Sequence, residues 1–377
     1  MAIIASVCGI ALIVVVLWEG FETIILPRRV TRRFRLTRLF YRNTWLTWAK
    51  LVTSFVPAGR QETWLSFFGP LSMLVLLSLW AGMMVTGFAL LQWATGSTIV
   101  TQDGSAGFFI DLYMSGTSFF TLGMGDAVPR STLGRSLVVI ESGMGFAFLA
   151  LVIAYLPALN QSFSRRETSI SLLDARAGSP PTASEMVRRH GHERGMEALR
   201  QLLHEWEQWS ADLLEGHLSY PVLAYFRSQH DNQSWLAALT AILDTCALVM
   251  AGVEGACQRQ AELTFAMARH GLVDLSIIFR ARPGERIQNR LPPDKLAELR
   301  ATLTAAGIRL KEGEADLKLT ELRLMYEPYV HALASYFRLR VPPWVAEKNW
   351  VDNWQASTWE RRTIRTKLAE RAKGEHF

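Results

Sequence analysis

Cysteine is scarce: the 377 residues hold three, Cys8, Cys246 and Cys257, an odd number with no C-x-x-C pair. A disulfide framework is therefore not expected. Cys246 and Cys257 stand eleven residues apart, three helical turns, which reads as two core positions better than as a metal or redox pair. Acidic residues are missing between Arg28 and Lys50, where seven Arg and one Lys occur. No G-x-G-x-x-G follows a strand, which excludes a nucleotide-sensing Rossmann domain, and beyond residue 165 the alternating apolar pattern of strands is absent. Nucleophile–base pairs and phosphate-cradling loops are absent too, so no enzyme and no organic cofactor are expected. The net charge of +6 could suit nucleic acid. Its placement argues for a membrane and against that partner.

Apolar residues are what the chain has in excess. Half of it is hydrophobic, mean hydropathy is +0.13 and there are 13 Trp, a composition that suits interface anchors. Three segments reach the ~20 apolar residues that a crossing needs: Ile3–Leu26, Trp64–Trp93 and Ser136–Leu159. The first has neither a basic leading region nor a small-residue cleavage site and reads as a retained helix. The basic loop Arg28–Lys50, and Arg165-Arg166 after the third segment, place both sites in the cytoplasm by the positive-inside rule. The amino terminus then lies outside, and the segment Ala106–Asp126 enters the membrane from outside and returns.

That returning segment ends in Thr121-Leu122-Gly123-Met124-Gly125-Asp126. Glycines at 123 and 125 let the backbone take conformations a side chain would forbid, so successive carbonyls can point one way. A ring of such carbonyls replaces the water shell of a dehydrated cation. Non-helical backbone at membrane depth must be covered by protein or line water. One loop cannot cover itself, so several copies must share an axis.

From Tyr113 to Ala154 the chain resembles the pore of tetrameric potassium channels, including bacterial two-helix channels and the second pore of two-pore-domain channels. The landmarks are Thr121–Asp126, then Pro129, Gly134-Arg135, Gly145, and Glu141 fifteen residues after Asp126. The resemblance implies a homotetramer and an ion-binding filter of Thr121, Leu122, Gly123, Met124 and Gly125. It implies K+ as the conducted ion, or Na+ if selectivity is relaxed. Family filters carry an aromatic where Met124 stands, bonded to a pore-helix aromatic where Met114 stands. Both have become thioethers, and methionine fills volume without fixing it. A softer filter follows.

Filter support falls to Tyr113, Met114, Asp126 and Glu141. The Tyr113 hydroxyl can donate to Asp126 as a strut, the alternative being a solvated carboxylate that attracts cations. Glu141, the sole formal charge between Arg135 and Arg165, is expected behind the filter against the pore helix. Gly143 and Gly145 serve either as a gating hinge or for close helix contact. Arg29, Arg32, Arg35 and Arg38 recur like a voltage sensor, but Pro27 and the crowding Arg28, Arg33 and Arg42 favour a surface helix. Arg28–Arg42 would bind anionic lipid head groups, with Trp45 and Trp48 as interface anchors.

Five segments follow: an amino-terminal helix (1–27), a basic membrane-surface segment (28–62), a pore domain (63–163), a linker (164–184) and an all-α cytoplasmic domain (185–377). Helices are predicted over Glu185–Glu215, Trp235–His270, Asp294–Ala306, Glu314–Phe337 and Ser357–Ala372. Trp235–Val253 is apolar enough for a fourth crossing, but Asp244 at its centre would be costly in lipid. His190 and His192 lack a third ligand for a metal, and His204 and His217 are plain. Trp344, Trp350, Trp354 and Trp359 read as packing. The fold class is an all-α membrane protein with a potassium-channel-like pore and an extra amino-terminal helix. Its expected role is a potassium-selective homotetrameric channel of a bacterial inner membrane, gated by its cytoplasmic domain through a stimulus the sequence does not name. A non-selective cation channel and a non-conducting sensor or scaffold are the alternatives.

Overall fold

The computed structural model describes residues 1–26, 35–96, 99–101, 107–191, 195–230, 232–253, 257–284, 288–346 and 352–355. They divide into two compact units: Met1–Ser162 with Leu218–Phe226, and Phe163–His217 with Arg227–Phe377. The chain is an all-α membrane protein. Four helical stretches are long and apolar enough to cross a bilayer: Ala2–Ile24, Ala58–Ala94, Thr132–Ala177 and Trp235–Gly252.

The first unit holds α1 (Ala2–Gly20), α2 (Leu36–Phe55), α3 (Ala58–Ser66), α4 (Phe68–Ala94), α5 (Phe108–Phe119) and most of α6 (Thr132–Ala177). Strands β1 (Ile99–Thr101) and β2 (Ala127–Pro129) pair antiparallel on either side of α5 in sequence. The second expected crossing is split at Phe67, and Pro70 falls in the first turn of α4, where a missing N–H leaves no helical bond unmade. Helix α1 lies on α4, and a Cβ on Gly9 would stand 2.7 Å from the Gly87 carbonyl oxygen. Small residues at that crossing bring the two backbones into contact.

Of the two acidic residues that precede the arginine run, Glu19 caps a helix and Glu22 meets Arg35. Glu19 is buried and accepts the N–H groups of Leu36 and Thr37, both at 3.0 Å, so its carboxylate caps the start of α2. Glu22 accepts the Trp18 indole N–H at 2.8 Å and lies 3.6 Å from Arg35. Arg28, Arg29, Arg32 and Arg33 lie outside the described residues. Trp45 is a correction: it is fully buried between Phe68 and Tyr225 and is no interface anchor. The short 3-10 turn Pro221–Tyr225 supplies that partner, a tertiary contact invisible to local hydropathy. Trp48 stays half-buried and donates to the Trp64 carbonyl at 3.1 Å.

Helix α6 does not stop at the expected membrane exit. It runs 46 residues to Ala177, so most of the expected linker is helix. Arg165-Arg166 change the polarity of the sequence, and nothing there breaks a helix. The remaining turn leads to Thr182, whose side chain accepts from the Glu185 N–H and caps α7 (Ala183–Arg189).

The second unit continues with α8 (Gly195–Ser219), α9 (Trp235–Gly252), α10 (Gln258–Phe279), α11 (Pro293–Ala305), α12 (Glu314–Leu324) and α13 (Glu327–Phe337). Three predicted helices are each a pair. The breaks fall near His190-Gly191, after Gly252, and at Met325-Tyr326 ahead of Pro328, a residue that disfavours helix before it. The predicted helix Ser357–Ala372 lies outside the described residues, as do His192, Trp350 and Trp359. All but two of the 18 residues of α9 are buried, which leaves that helix no apolar face for lipid.

Asp244, at the middle of α9, is ion-paired. Arg290 holds it bidentately at 2.6 and 3.0 Å, and the Tyr326 hydroxyl donates to it at 2.6 Å. Arg290 also reaches Glu327 at 3.2 Å, and Arg323 reaches Glu327 at 3.1 Å, with both guanidinium groups 5.6 Å from the Trp344 ring. Removing one member strands its partners. Arg290→Ala is expected to cost the second unit about 3–5 kcal/mol. Thermal unfolding of the detergent-solubilised protein checks it, and an unchanged Tm would mean these charges are solvated.

The remaining singled-out residues are structural. Cys246 is buried, Cys257 half-buried and Cys8 exposed, all as free thiols. His190 meets the Met186 carbonyl at 2.7 Å and His204 is exposed. Burial first, then the Arg166 cation, push the His217 imidazole down to about 3, so it stays neutral in the core. Among the described residues no cluster of His, Cys, Asp or Glu is placed to hold a metal.

Candidate functional site: the pore loop

Helix α5 leads into the loop with the negative end of its dipole foremost, which favours a cation beyond it. The loop is then tied by its amides. Thr121 N–H donates to the Ser118 carbonyl at 3.1 Å, and the N–H groups of Leu122 and Gly123 both donate to the Thr117 carbonyl, at 2.8 and 3.3 Å. With these donors turned back to α5, the loop carbonyls are left to face elsewhere.

Backbone φ is +57° at Thr121, +57° at Gly123 and +76° at Gly125, while Leu122 and Met124 keep negative values. Alternating hand along a chain turns successive carbonyls to one side. Glycine adopts this hand freely at 123 and 125. A β-branched residue does so only under strain, so Thr121 stores about 1–2 kcal/mol at the inner end of the loop. Thr121, Leu122, Gly123, Met124 and Gly125 are all exposed in the single chain.

The flanks of the loop are pinned. The Tyr113 hydroxyl donates to Asp126 Oδ2 at 2.8 Å, which brings those two residues together across the turn. Beyond Asp126, β2 pairs with β1, and Arg135 Nε donates to the Pro129 carbonyl at 3.3 Å. Buried Gln92 on α4 donates to the Gly134 carbonyl at 2.9 Å and fastens the start of α6.

Behind the loop, Glu141 is fully buried and accepts a hydrogen bond from Ser115 of α5. Ser115 Oγ also lies 2.7 Å from the Val85 carbonyl, so one hydroxyl gathers α4, α5 and α6. Ser142 adds a bond from its hydroxyl to the Ser118 carbonyl at 3.2 Å. Met114 and Met124 are treated differently by the fold. Met114 is 2% exposed and Met124 67%, so Met114 does not cover Met124 within one chain.

The two inner-helix glycines also part company. A Cβ on Gly143 would meet nothing within 4 Å, whereas one on Gly145 would stand 1.8 Å from the Phe119 carbonyl oxygen. Gly145 is the point where α6 touches the end of α5, and α5 holds it there. The weak point of α6 is one that glycine spacing does not reveal: Pro157 sits inside the helix. It has no N–H for the carbonyl four residues earlier, at Ile153. Its signal was a proline within an apolar run. Thr117, the acceptor of two loop amides, carried no sequence signal, because its backbone does the work.

With the geometry in hand, likeness to known proteins follows its outline. Residues 72–161, the span from α4 through the loop into α6, match the ion channel family. An uncharacterized membrane protein of Bacillus subtilis (strain 168), YdjJ, is 26% identical over 193 residues, which is 50% of this chain. The chain thus spans about half the length of that relative, 54% of it. No solved structure matches. An ion-channel domain in an all-α membrane protein is the coarse statement these findings carry.

Proposed function

From an ion-channel domain within a membrane-spanning chain, we infer a homotetrameric cation channel that conducts potassium passively through Thr121–Gly125, in a bacterial inner membrane. The observation that carries this reading is the alternating hand at Thr121, Gly123 and Gly125, with the neighbouring amides tied to Thr117. Carbonyls turned to one side on one chain make a quarter of a coordination site, and three further copies around an axis complete it. The uncovered loop supports assembly, since exposed non-helical backbone has no place in lipid. Val139 and Phe146 of α6, 73% and 68% exposed, offer apolar surface for neighbouring copies and lipid.

Asp126, held by Tyr113, sits at the outer end of the filter, and Glu141 braces the filter from behind. The amino terminus lies outside and the helical domain in the cytoplasm, where it biases opening through contacts that differ between states. Anionic lipid head groups gather at Arg28–Arg42. Permeation of sodium as well is favoured by one observation, the uncovered Met124 thioether in place of a braced aromatic.

Reversal potential in planar bilayers, with potassium on one side and sodium on the other, separates these readings. A value near the potassium Nernst potential is expected. A clear current reversing near zero would replace potassium selectivity by general cation permeation. In that case Met124→Tyr with Met114→Trp should sharpen potassium over sodium, and an unmoved ion ratio would remove the soft-filter explanation.

A further inference from the structure

The helix that carries the pore glycines ends in a knot of polar bonds that belongs to none of the filter machinery. Helix α6 closes at Ala177, and Gly178 follows with φ +85°. Its last carbonyls are capped by a cation: Arg189 Nη1 donates to Ala175 O at 2.8 Å and to Asp174 O at 3.3 Å. The same guanidinium holds Glu185 through Nε at 2.9 Å and Asp352 through Nη2 at 2.8 Å.

Asp352 and the residues after it, described as far as Gln355, come from far along the chain. Asp352 Oδ1 accepts the Ser179 N–H at 3.2 Å. The next N–H, of Asn353, donates to Ser179 Oγ at 3.3 Å, and the Trp354 N–H donates to Asp174 Oδ2 at 3.1 Å. Asn353 and Asn232 exchange side-chain amide bonds at 3.2 and 3.3 Å. Polar bonds hold this segment, while its one large apolar side chain, Trp354, is 63% exposed. On release such bonds are replaced by bonds to water, so the net contribution of each is modest. Asp174 is 7% exposed, yet its Oδ1 has no partner among the described residues, a cost that undocking relieves.

We propose that Asp352–Gln355 is a releasable strap on the cytoplasmic end of the pore-lining helix, and that its docking sets the channel's open probability. The proposal rests on the conduction reading above. A strap made of carboxylates, a helix-capping arginine and amide pairs is held by polar bonds whose groups water can serve once it is released. Because α6 is one continuous helix, freeing its last turn changes the restraint on the segment that lines the pore.

The test uses the full chain in proteoliposomes loaded for potassium flux. Asp352→Ala removes the Arg189 and Ser179 bonds, and flux is expected to change roughly fivefold or more. Asn232→Cys with Asn353→Cys should be joined within one chain by a short, reducible bis-thiosulfonate cross-linker, since side chains that meet through paired amide bonds stand too far apart for a direct disulfide. The bridge should be absent from either single variant and is read by mass spectrometry. With that bridge closed, Asp352→Ala should no longer alter flux, and reduction should restore its effect. Failure of the bridge to form would show the strap undocked and overturn the proposal. So would an Asp352→Ala flux equal to that of the unaltered chain, or an effect of the same size with the strap locked. If Asp352→Ala does not fold, flux through the bridged and reduced double-cysteine protein decides, and equality between them sinks the strap. A silent unaltered chain would sink the conduction reading and the proposal with it, while the cross-linking yield still reports docking separately.

Discussion

Replacing Gly123 by alanine should abolish potassium flux while leaving an inserted, assembled protein. The methyl group would have open space, since nothing lies within 4 Å of a Cβ built there. The penalty comes from the backbone. At φ +57° an L-residue carries about 1–2 kcal/mol of strain, and every copy around the axis would carry it. The loop already bears one such strain at Thr121, relieved only by the bonds from Leu122 and Gly123 to Thr117. A second strain two residues on favours a flip of the intervening peptide, which turns a carbonyl away from the ion path. Since 1.4 kcal/mol is a factor of ten, flux should drop by more than ~100-fold. Rubidium flux into proteoliposomes, beside an unchanged gel-filtration profile, measures it. Ordinary flux through Gly123→Ala would remove the carbonyl-ring reading, and a non-conducting scaffold would be untouched by the change.

The loop's backbone was legible where chemistry is written in side-chain absence. Two glycines flanking one residue, an aspartate after them and a tyrosine before them point to a turn that must bend one way, and the bend is there. Glu141 was legible because a lone charge in an apolar run must find a partner. The residue that meets it, Ser115, was not, because serines are common and only the fold selects one. Helix ends were harder. Helical periodicity reads straight through from Trp235 to His270, so one helix was expected where the structure has two. At the other extreme, α6 continues beyond Arg165, because a change of solvent is not a helix stop. The aromatic nest around Trp45 and the bonds from Asp352 to Arg189 join residues 180 and 163 apart in sequence. No local pattern announces such pairs, and the membrane-interface reading of Trp45 failed for that reason.

The two glycines of the inner helix should behave oppositely when each is given a methyl group. Gly143→Ala meets nothing, and alanine is the better helix former by ~1 kcal/mol, so this variant should be as stable as the unaltered chain or slightly more so. Gly145→Ala places its Cβ 1.8 Å from a backbone carbonyl, that of Phe119, which cannot swing aside as a flexible side chain would. Either α5 moves, carrying the Thr117 and Ser118 carbonyls that anchor the loop, or α6 moves, pulling Glu141 from Ser115. Overpacking usually costs ~1–3 kcal/mol, and a clash with backbone sits above that range. The expected outcome for Gly145→Ala is a collapse of assembled, detergent-stable protein, read by gel filtration and thermal unfolding against Gly143→Ala. Equal behaviour of the two variants would mean that α6 does not press on α5 at this point. The same contact argues against Gly145 as a gating hinge, because a bend there would have to drag the filter with it. Pro157, where the helix lacks a bond, is the position at which α6 can bend without pulling on the end of α5.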